Sequence, residues 1–410
     1  MADILDVWLS GRHLGELERL RNGAMRLRFN DEAINHYGAG SKALSLSLPM
    51  TPKRVEGASL GTFIEGLLPE FGVRSALEHE HDVNPFDSFG LLRAVGTECA
   101  GAVQFTPQGK PPGPGFLREL SDDEVTVMVR DLPTLTPPDG LPVSASLSGV
   151  QAKILLSRSQ HGWAWPAAGA MSTHIIKPEP ITDVVVAHLV ESEDWAMRLA
   201  RKAGLNVANA ELLDFDGRKA IVVQRYDRVG GRRIHQEDFT QALGFPSSNK
   251  YESAITTPTR LFRIANEAGD EAFDRNAFQE DLLRAITFNI IIGNGNAHSK
   301  NYSLPIDEQG LFQIAPLYDT APVFLLNANL YHSGHVIDGQ VNLKYIERGH
   351  IERAAQSWGM KQETAHHVVT GVIESIVEQV ADIAADADIA SLPDLVTARV
   401  KGFAAKGSRN

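Results

Sequence analysis

The sequence predicts an α+β fold in which a mostly β N-terminal lobe precedes a mostly α C-terminal lobe. Three observations carry that expectation. Early segments alternate apolar and polar residues with the period of half-buried strands, and later ones place apolar residues at helical spacing. Two Pro/Gly-rich breaks, TPQGKPPGPGF and LPTLTPPDGLP, part an N-terminal unit from the rest of the chain.

In chain order, ILDVWLSGRHLGEL reads as two strands around a Ser10-Gly11 turn, and LSLSLPM as a strand stopped by Pro49. GTFIEGLLPEFGVRSALEHE is expected to be helical with a break at Pro69. LLRAVGTECAGAVQF ends as a strand and runs into the first Pro/Gly-rich break. From Ser144 the pattern is strand, loop, strand: SLSGVQAKILLS, GWAWPAA, STHIIKPEP. An amphipathic helix through HLVESEDWAMRLARKAGL and a strand pair, ELLDFDGRKAIVVQRYD, closing on Asp216-Gly217, come next. After HQEDFTQALGF the chain turns helical, with DLLRAITFNIII and HHVVTGVIESIVEQVADIAADA the strongest segments.

A chain of 410 residues, 43% hydrophobic and 22% charged, can bury the cores of two or three domains. The formal charge of −12 argues against a sequence-independent grip on nucleic-acid backbone, which clustered Lys and Arg provide. The single cysteine, Cys99, excludes an internal disulfide framework and a cysteine-based zinc cluster, as suits a reducing cytoplasm. Charges come too early in MADILDVWLSGRHLGEL for a signal segment, and no uncharged apolar stretch approaches the roughly 20 residues that span a bilayer. The expectation is a cytoplasmic protein with no membrane partner.

The chemistry concentrates in GNGNAHSKNYSLP, after the apolar run AITFNIII. Its Asn296 and Asn301 have the five-residue spacing of a kinase catalytic loop, in which an Asp accepts the substrate hydroxyl proton and an Asn holds Mg2+. Here the first position is an amide. A phosphotransferase also needs a phosphate cradle, a phosphate-facing lysine and a second metal ligand. SASLSGVQAKILL has small residues between strands but matches no standard glycine loop, so an ordinary hairpin turn stays open. Lys177 ends the apolar run HIIK, either pointing into a cleft or as a solvated strand end. Glu193 would pair with it, or belong with Glu191 and Asp194 to a solvated acidic face. Asp319, 18 residues past Asn301, is placed for a metal ligand or for a turn cap. His298 and Lys300 would touch phosphate or face water. A zinc hydrolase is disfavoured, because His332 and His335 form the only HxxH and lack the helix and intervening Glu of that site. No G-x-S-x-G elbow occurs.

Taken in order, these pieces resemble the HipA serine/threonine kinases, toxins of bacterial type II toxin–antitoxin modules. WLSGRHLGEL, LSLSLPM, FIEGLLPE and CAGAVQF resemble that family's N-terminal subdomain. SLSGVQAK, HIIKP, VVQRYDR, HQEDFTQALG, IIGNGNAHSKNYSL and APLYDT resemble its kinase core. The resemblance implies a two-lobed kinase related to the phosphatidylinositol kinase-like architecture. Residues 1–105 would form the N-terminal subdomain, 106–142 a connector region, 143–228 the rest of the N-lobe with phosphate loop and hinge, and 229–410 the α-helical C-lobe.

By the same resemblance, Lys177 would contact the phosphates of ATP, and Asn301 and Asp319 would hold Mg2+. Gln224 and Tyr226 would lie along the adenine, Asp227 near the ribose, and His298 in the nucleotide site. Ser146, Leu147, Ser148, Gly149, Val150 and Lys153 would belong to the phosphate-binding loop, with Ser146 as the autophosphorylation site. The family pattern is D-x-H-x-K-N, and this chain reads N-x-H-x-K-N from Asn296. Loss of the proton acceptor implies a catalytically crippled kinase, whether silenced by substitution or naturally degenerate. Implied partners are a HipB-like helix-turn-helix antitoxin, operator DNA reached through it, and an aminoacyl-tRNA synthetase as substrate, glutamyl-tRNA synthetase in the best-known case. A pseudokinase serving only as antitoxin-bound corepressor is the alternative.

Overall fold

The computed structural model describes residues 3–134, 137–141, 143, 151–181 and 184–406. The fold is α+β, as expected, and forms two compact units. One comprises Met1–Pro178, Leu213–Ser248 and Pro305–Leu311. The other comprises Glu179–Leu212, Asn249–Leu304 and Phe312–Asn410.

The first unit opens with β1 (Asp3–Leu9), β2 (Arg12–Arg19), β3 (Met25–Phe29), β4 (Val55–Glu56) and β5 (Val103–Pro107). They form an antiparallel sheet in the order β4-β3-β2-β1-β5. Ser10 and Gly11 both take positive φ, the two-residue hairpin turn that matches strand twist. Alternation in β1 buries Leu5, Val7 and Leu9, which share a core with Phe63 and Leu67 of the helix Ala58–Leu67 and with Phe89 and Leu92 of the helix Ser88–Val95. Pro69 separates Ala58–Leu67 from the next helix, Phe71–Glu80, where the sequence placed the break.

One expectation fails in this unit. LSLSLPM is not a strand: Leu44, Leu46, Leu48 and Met50 are buried, yet the serines fold the backbone into turns. Ser45 Oγ accepts the Ser47 amide at 3.1 Å, and Ser47 Oγ donates to the Gln241 carbonyl at 2.8 Å. Local serine bonds of this kind compete with a ladder. Leu46 donates its amide to Glu237 instead. The connector region also contains a strand, β6 (Phe116–Leu120), and a helix, Asp122–Asp131, which starts at a capping box made by Ser121 and Glu124.

The second sheet adds β7 (Ile154–Ser159), β8 (Gly162–Ala167), β9 (His174–Pro178), β10 (Ala210–Phe215) and β11 (Arg218–Gln224), in the order β10-β11-β9-β7-β8-β6. Its core joins Ile154, Leu156, Trp165, Ile176 and Val222 to Val125 and Val129 of the helix Asp122–Asp131. Asp216 and Gly217, both at positive φ, close the β10–β11 hairpin as expected.

The other unit is mostly helical. The helix Arg275–Ile292 is capped by Asp274, whose carboxylate accepts the Asn276 and Ala277 amides, and it is buried almost continuously from Leu282 onward. Gln362–Gln379 and Leu392–Lys406 pack beside it. In the helix Leu189–Lys202, Glu191, Glu193 and Asp194 are all buried, which rules out a solvated acidic face. Among the described residues no helix is long and apolar enough to cross a membrane.

Candidate functional site

Gly293, in the left-handed conformation, ends the helix Arg275–Ile292 and starts the polar loop. Asn294 is 1% exposed and shapes that loop from inside. Its Nδ2 donates to Asn289 Oδ1 at 2.8 Å, and its Oδ1 accepts the Asn296 amide at 3.0 Å. Two close approaches then confine the backbone. A Cβ on Gly295 would stand 1.8 Å from the Leu330 carbonyl oxygen, and one on Gly334 would stand 2.0 Å from that of Ala297. Only glycine fits either place.

Within this frame the Asn296 carbonyl accepts the His298 amide and the Asn301 Nδ2, both at 2.8 Å. That bond uses the nitrogen end of the Asn301 amide and leaves Oδ1 as its remaining acceptor. Asp319 comes back to the loop because the chain doubles over. The Ala315 amide donates to the Ser303 carbonyl at 3.0 Å, Ser303 and Tyr318 hydroxyls meet at 2.7 Å, and Tyr318 Oη donates to the Lys300 carbonyl at 3.1 Å. Asp319 itself has φ of 53°, a costly backbone state for a residue with a side chain.

His298 is 5% exposed, and its Nδ1 has no hydrogen-bond partner among the described residues. Burial lowers its pKa to about 4, with Lys250 acting the same way and the Asp319 charge opposing it. It is therefore a neutral imidazole at pH 7. Tyr251 stacks edge-on against His298 at 5.1 Å and against His332 at 5.3 Å. Its hydroxyl donates to Asn296 Oδ1 at 3.2 Å. Glu252 fixes this segment: its carboxylate accepts the amides of Arg260 at 2.6 Å and Val336 at 2.8 Å, and its own amide donates to Gly334 at 2.9 Å. Arg260 Nη1 in turn donates to Ser299 Oγ at 2.8 Å.

The second unit thus gathers Asn296, His298, Asn301 and Asp319, with Tyr251, Glu252, Arg260 and Asn294 as supports the sequence reading did not single out. Asn294 was legible in the repeated GNGN. Tyr251 and Glu252, some 45 residues upstream, carry no local signal.

In the first unit Lys177 lies on β9 opposite Ile221 of β11, and it is 8% exposed, so it is not a solvated strand end. The β7–β9 register pairs Ile154 with Ile176, so Lys153 falls opposite Lys177 one step further on. Gln224 ends β11 opposite His174 and is exposed; the Tyr226 hydroxyl donates to Gln236 Oε1. Asp227 is committed elsewhere. Its buried carboxylate accepts from Arg225 at 2.8 and 2.9 Å, from Arg228 at 3.0 Å and from the Gly101 amide at 2.8 Å, and these partners hold its pKa far down despite burial. Glu98, fully buried, takes Arg225, Arg228 and Arg233 in the same cluster. Ser146, Leu147, Ser148, Gly149 and Val150 lie outside the described residues.

Two family models match the chain: the HipA N-terminal domain over residues 5–106 and the HipA-like C-terminal domain over residues 145–380. The chain is 32% identical to the inferred kinase Y4mE of Sinorhizobium fredii, covering 93% of this chain and 92% of that one. It is 30% identical to the serine/threonine-protein kinase toxin HipA of Shewanella oneidensis over 82% and 80% of the two chains. A solved Shewanella oneidensis HipA, in complex with HipB and operator DNA, superposes with a TM-score of 0.81 at 27% identity, covering 98% of this chain and 97% of that one. The two-lobed, kinase-like fold class expected from the motifs is the one this match carries. With both family domains present in order and relatives aligned along nearly its whole length, the chain belongs to the HipA family of serine/threonine kinase toxins.

Proposed function

We propose that this chain binds ATP with Mg2+ as a toxin-type protein serine/threonine kinase and is held inactive in phosphoryl transfer by Asn296. The observation that carries the reading is the loop in which Asn301 turns its nitrogen to the Asn296 carbonyl while the doubled-back hairpin delivers Asp319. Asn301 and Asp319 offer oxygen donors, the set a hard cation takes, and they would hold the metal. When bound, Mg2+ neutralises charge on the phosphates. Lys177 and Lys153 would meet phosphate oxygens, together with the loop from Ser146 through Val150. Gln224 and Tyr226 would border the adenine. Asp227 would contribute by fixing Tyr226 through the backbone, since its carboxylate is taken by two arginines and an amide. Neutral His298, with a buried nitrogen still to satisfy, would take a donor from the nucleotide side.

The amide of Asn296 orients a hydroxyl but cannot accept its proton. An engineered silencing and a natural pseudokinase corepressor share this chemistry, and regained transfer on restoring the acid separates them. The relative solved with HipB and operator DNA supports a HipB-like antitoxin as partner. The charge of −12 favours DNA contact through that antitoxin. A cytoplasmic location and an aminoacyl-tRNA synthetase substrate, glutamyl-tRNA synthetase foremost, complete the proposal.

Calorimetric titration with MgATP tests it. Binding should be measurable below millimolar nucleotide, and Lys177→Met should weaken it about tenfold or more, the order expected for a lost charge-assisted partner. A folded protein that takes up no MgATP would refute the nucleotide site.

A further inference from the structure

We propose that Tyr251 is a positioning residue for the side chain at 296: its hydroxyl holds Oδ1 of that residue and so decides which atom is presented to the substrate. The inference rests on the kinase reading above. Its ground is geometric. Tyr251 Oη lies 3.2 Å from Asn296 Oδ1 and 3.5 Å from the Gly295 carbonyl, a donor shared by the side chain and the backbone of one loop.

The side chain is 37% exposed, and its ring contacts and the neighbouring backbone orient it. Its ring is set edge-on between His298 and His332, and the next residue, Glu252, is pinned through its carboxylate and amide to Arg260, Val336 and Gly334. Burial, followed by the Asp319 charge, raises the Tyr251 pKa, so the hydroxyl keeps its proton and stays a donor.

For residue 296 this has two consequences. In the chain as it stands, Oδ1 is taken by the phenol and the NH2 end of the amide is turned away from it. Asn296 therefore meets a substrate hydroxyl with its NH2 donor and one remaining, weakly basic lone pair of Oδ1, where an acid would offer a carboxylate. With an acid at this position, the same phenol would bond the carboxylate, favour its charged form and leave one oxygen free to accept the proton. Other charges bear on the site too: Asp319, Lys250 and Lys300 act on His298, and His298 and His332 flank the phenol. The comparison must therefore change the Tyr251 hydroxyl alone.

The test compares Asn296→Asp with Asn296→Asp/Tyr251→Phe. Phenylalanine keeps the ring between the two histidines, and equal thermal midpoints would verify the fold. Carboxyl 13C titration, with the unsubstituted chain subtracted to isolate residue 296, reads the hydroxyl directly and needs no activity. Removing the phenol should move this midpoint up by about one pH unit. The turnover number for phosphate transfer should fall by about tenfold to a hundredfold, the cost of misplacing a reacting group, with the KM for ATP changed less than twofold. As a second arm, 3-fluorotyrosine at position 251 makes a stronger donor and should move the midpoint down. A carboxyl midpoint indifferent to both changes would overturn the inference, whatever the turnover. If the midpoints move as stated while Asn296→Asp transfers no phosphate, the positioning role stands and the kinase reading fails.

Discussion

Glu237 gives the sharpest test of how this protein holds together. It is 1% exposed, and its carboxylate accepts the Leu46 amide at 2.8 Å. Burial pushes its pKa up to about 8 from the ordinary 4.5, against the pull of that amide. Between those values the folded chain keeps a proton that the unfolded chain has released, so stability falls as pH rises through the window. The slope is about 1.4 kcal/mol per pH unit, or about 2.7 kcal/mol from pH 5.5 to 7.5. Glu237→Gln retains an acceptor for Leu46 and cannot ionise. The variant should therefore gain stability over the unchanged chain, by about that amount, as pH rises across this range. Nearby His235, lowered to about 4 by burial, titrates in both proteins and cancels in the difference. Urea unfolding at pH 5.5, 6.5 and 7.5, run in parallel, measures it. A difference that stays flat with pH would mean that Glu237 is ionised in the folded chain, and the reasoning would fail.

Restoring the acid with Asn296→Asp should raise phosphate transfer from radiolabelled ATP by about 10² to 10⁴-fold and make expression without an antitoxin growth-arresting. Transfer that stays at background while ATP still binds would favour the corepressor. In that variant, mass spectrometry should find phosphate on the peptide carrying Ser144, Ser146 and Ser148, and Ser146→Ala should remove it. Phosphorylation adds roughly −1.5 to −2 charges beside another phosphate, so ATP affinity should drop; phosphate found only elsewhere would reject the choice of Ser146.

Much of the fold was legible because its signals are local. The Ser10-Gly11 and Asp216-Gly217 turns, the Pro69 break and the long C-terminal helix each announce themselves within a few residues. LSLSLPM misled because alternation records burial, and serine can satisfy the backbone without a ladder. The helix after Ser121 was hidden by its proline-rich neighbours, although its S-x-x-E capping box was there to be seen. Asn296, Asn301 and Asp319, which the spacing singled out, lie on one loop and the hairpin that returns to it. Tyr251, Glu252 and Arg260 were not legible, since their roles exist only once a distant hairpin has closed on them. That two guanidiniums and an amide already bond Asp227 is also invisible in the sequence, since the amide comes from a distant segment and neighbouring arginines need not turn inward.

That cluster bears on how such proteins are inherited. Glu98 and Gly101 belong to the N-terminal family segment, while Arg225, Asp227, Arg228 and Arg233 belong to the C-terminal one, yet all sit in one compact unit. Two guanidiniums and two carboxylates are buried there, with Arg233 part-buried beside them, so each segment alone would expose or strand charges that the other neutralises. The two segments are consequently poor units of exchange. A recombinant joining the front of one relative to the back of another must import these partners as a matched set, and selection would see a mismatch first as a folding defect, before any change in what the kinase recognises.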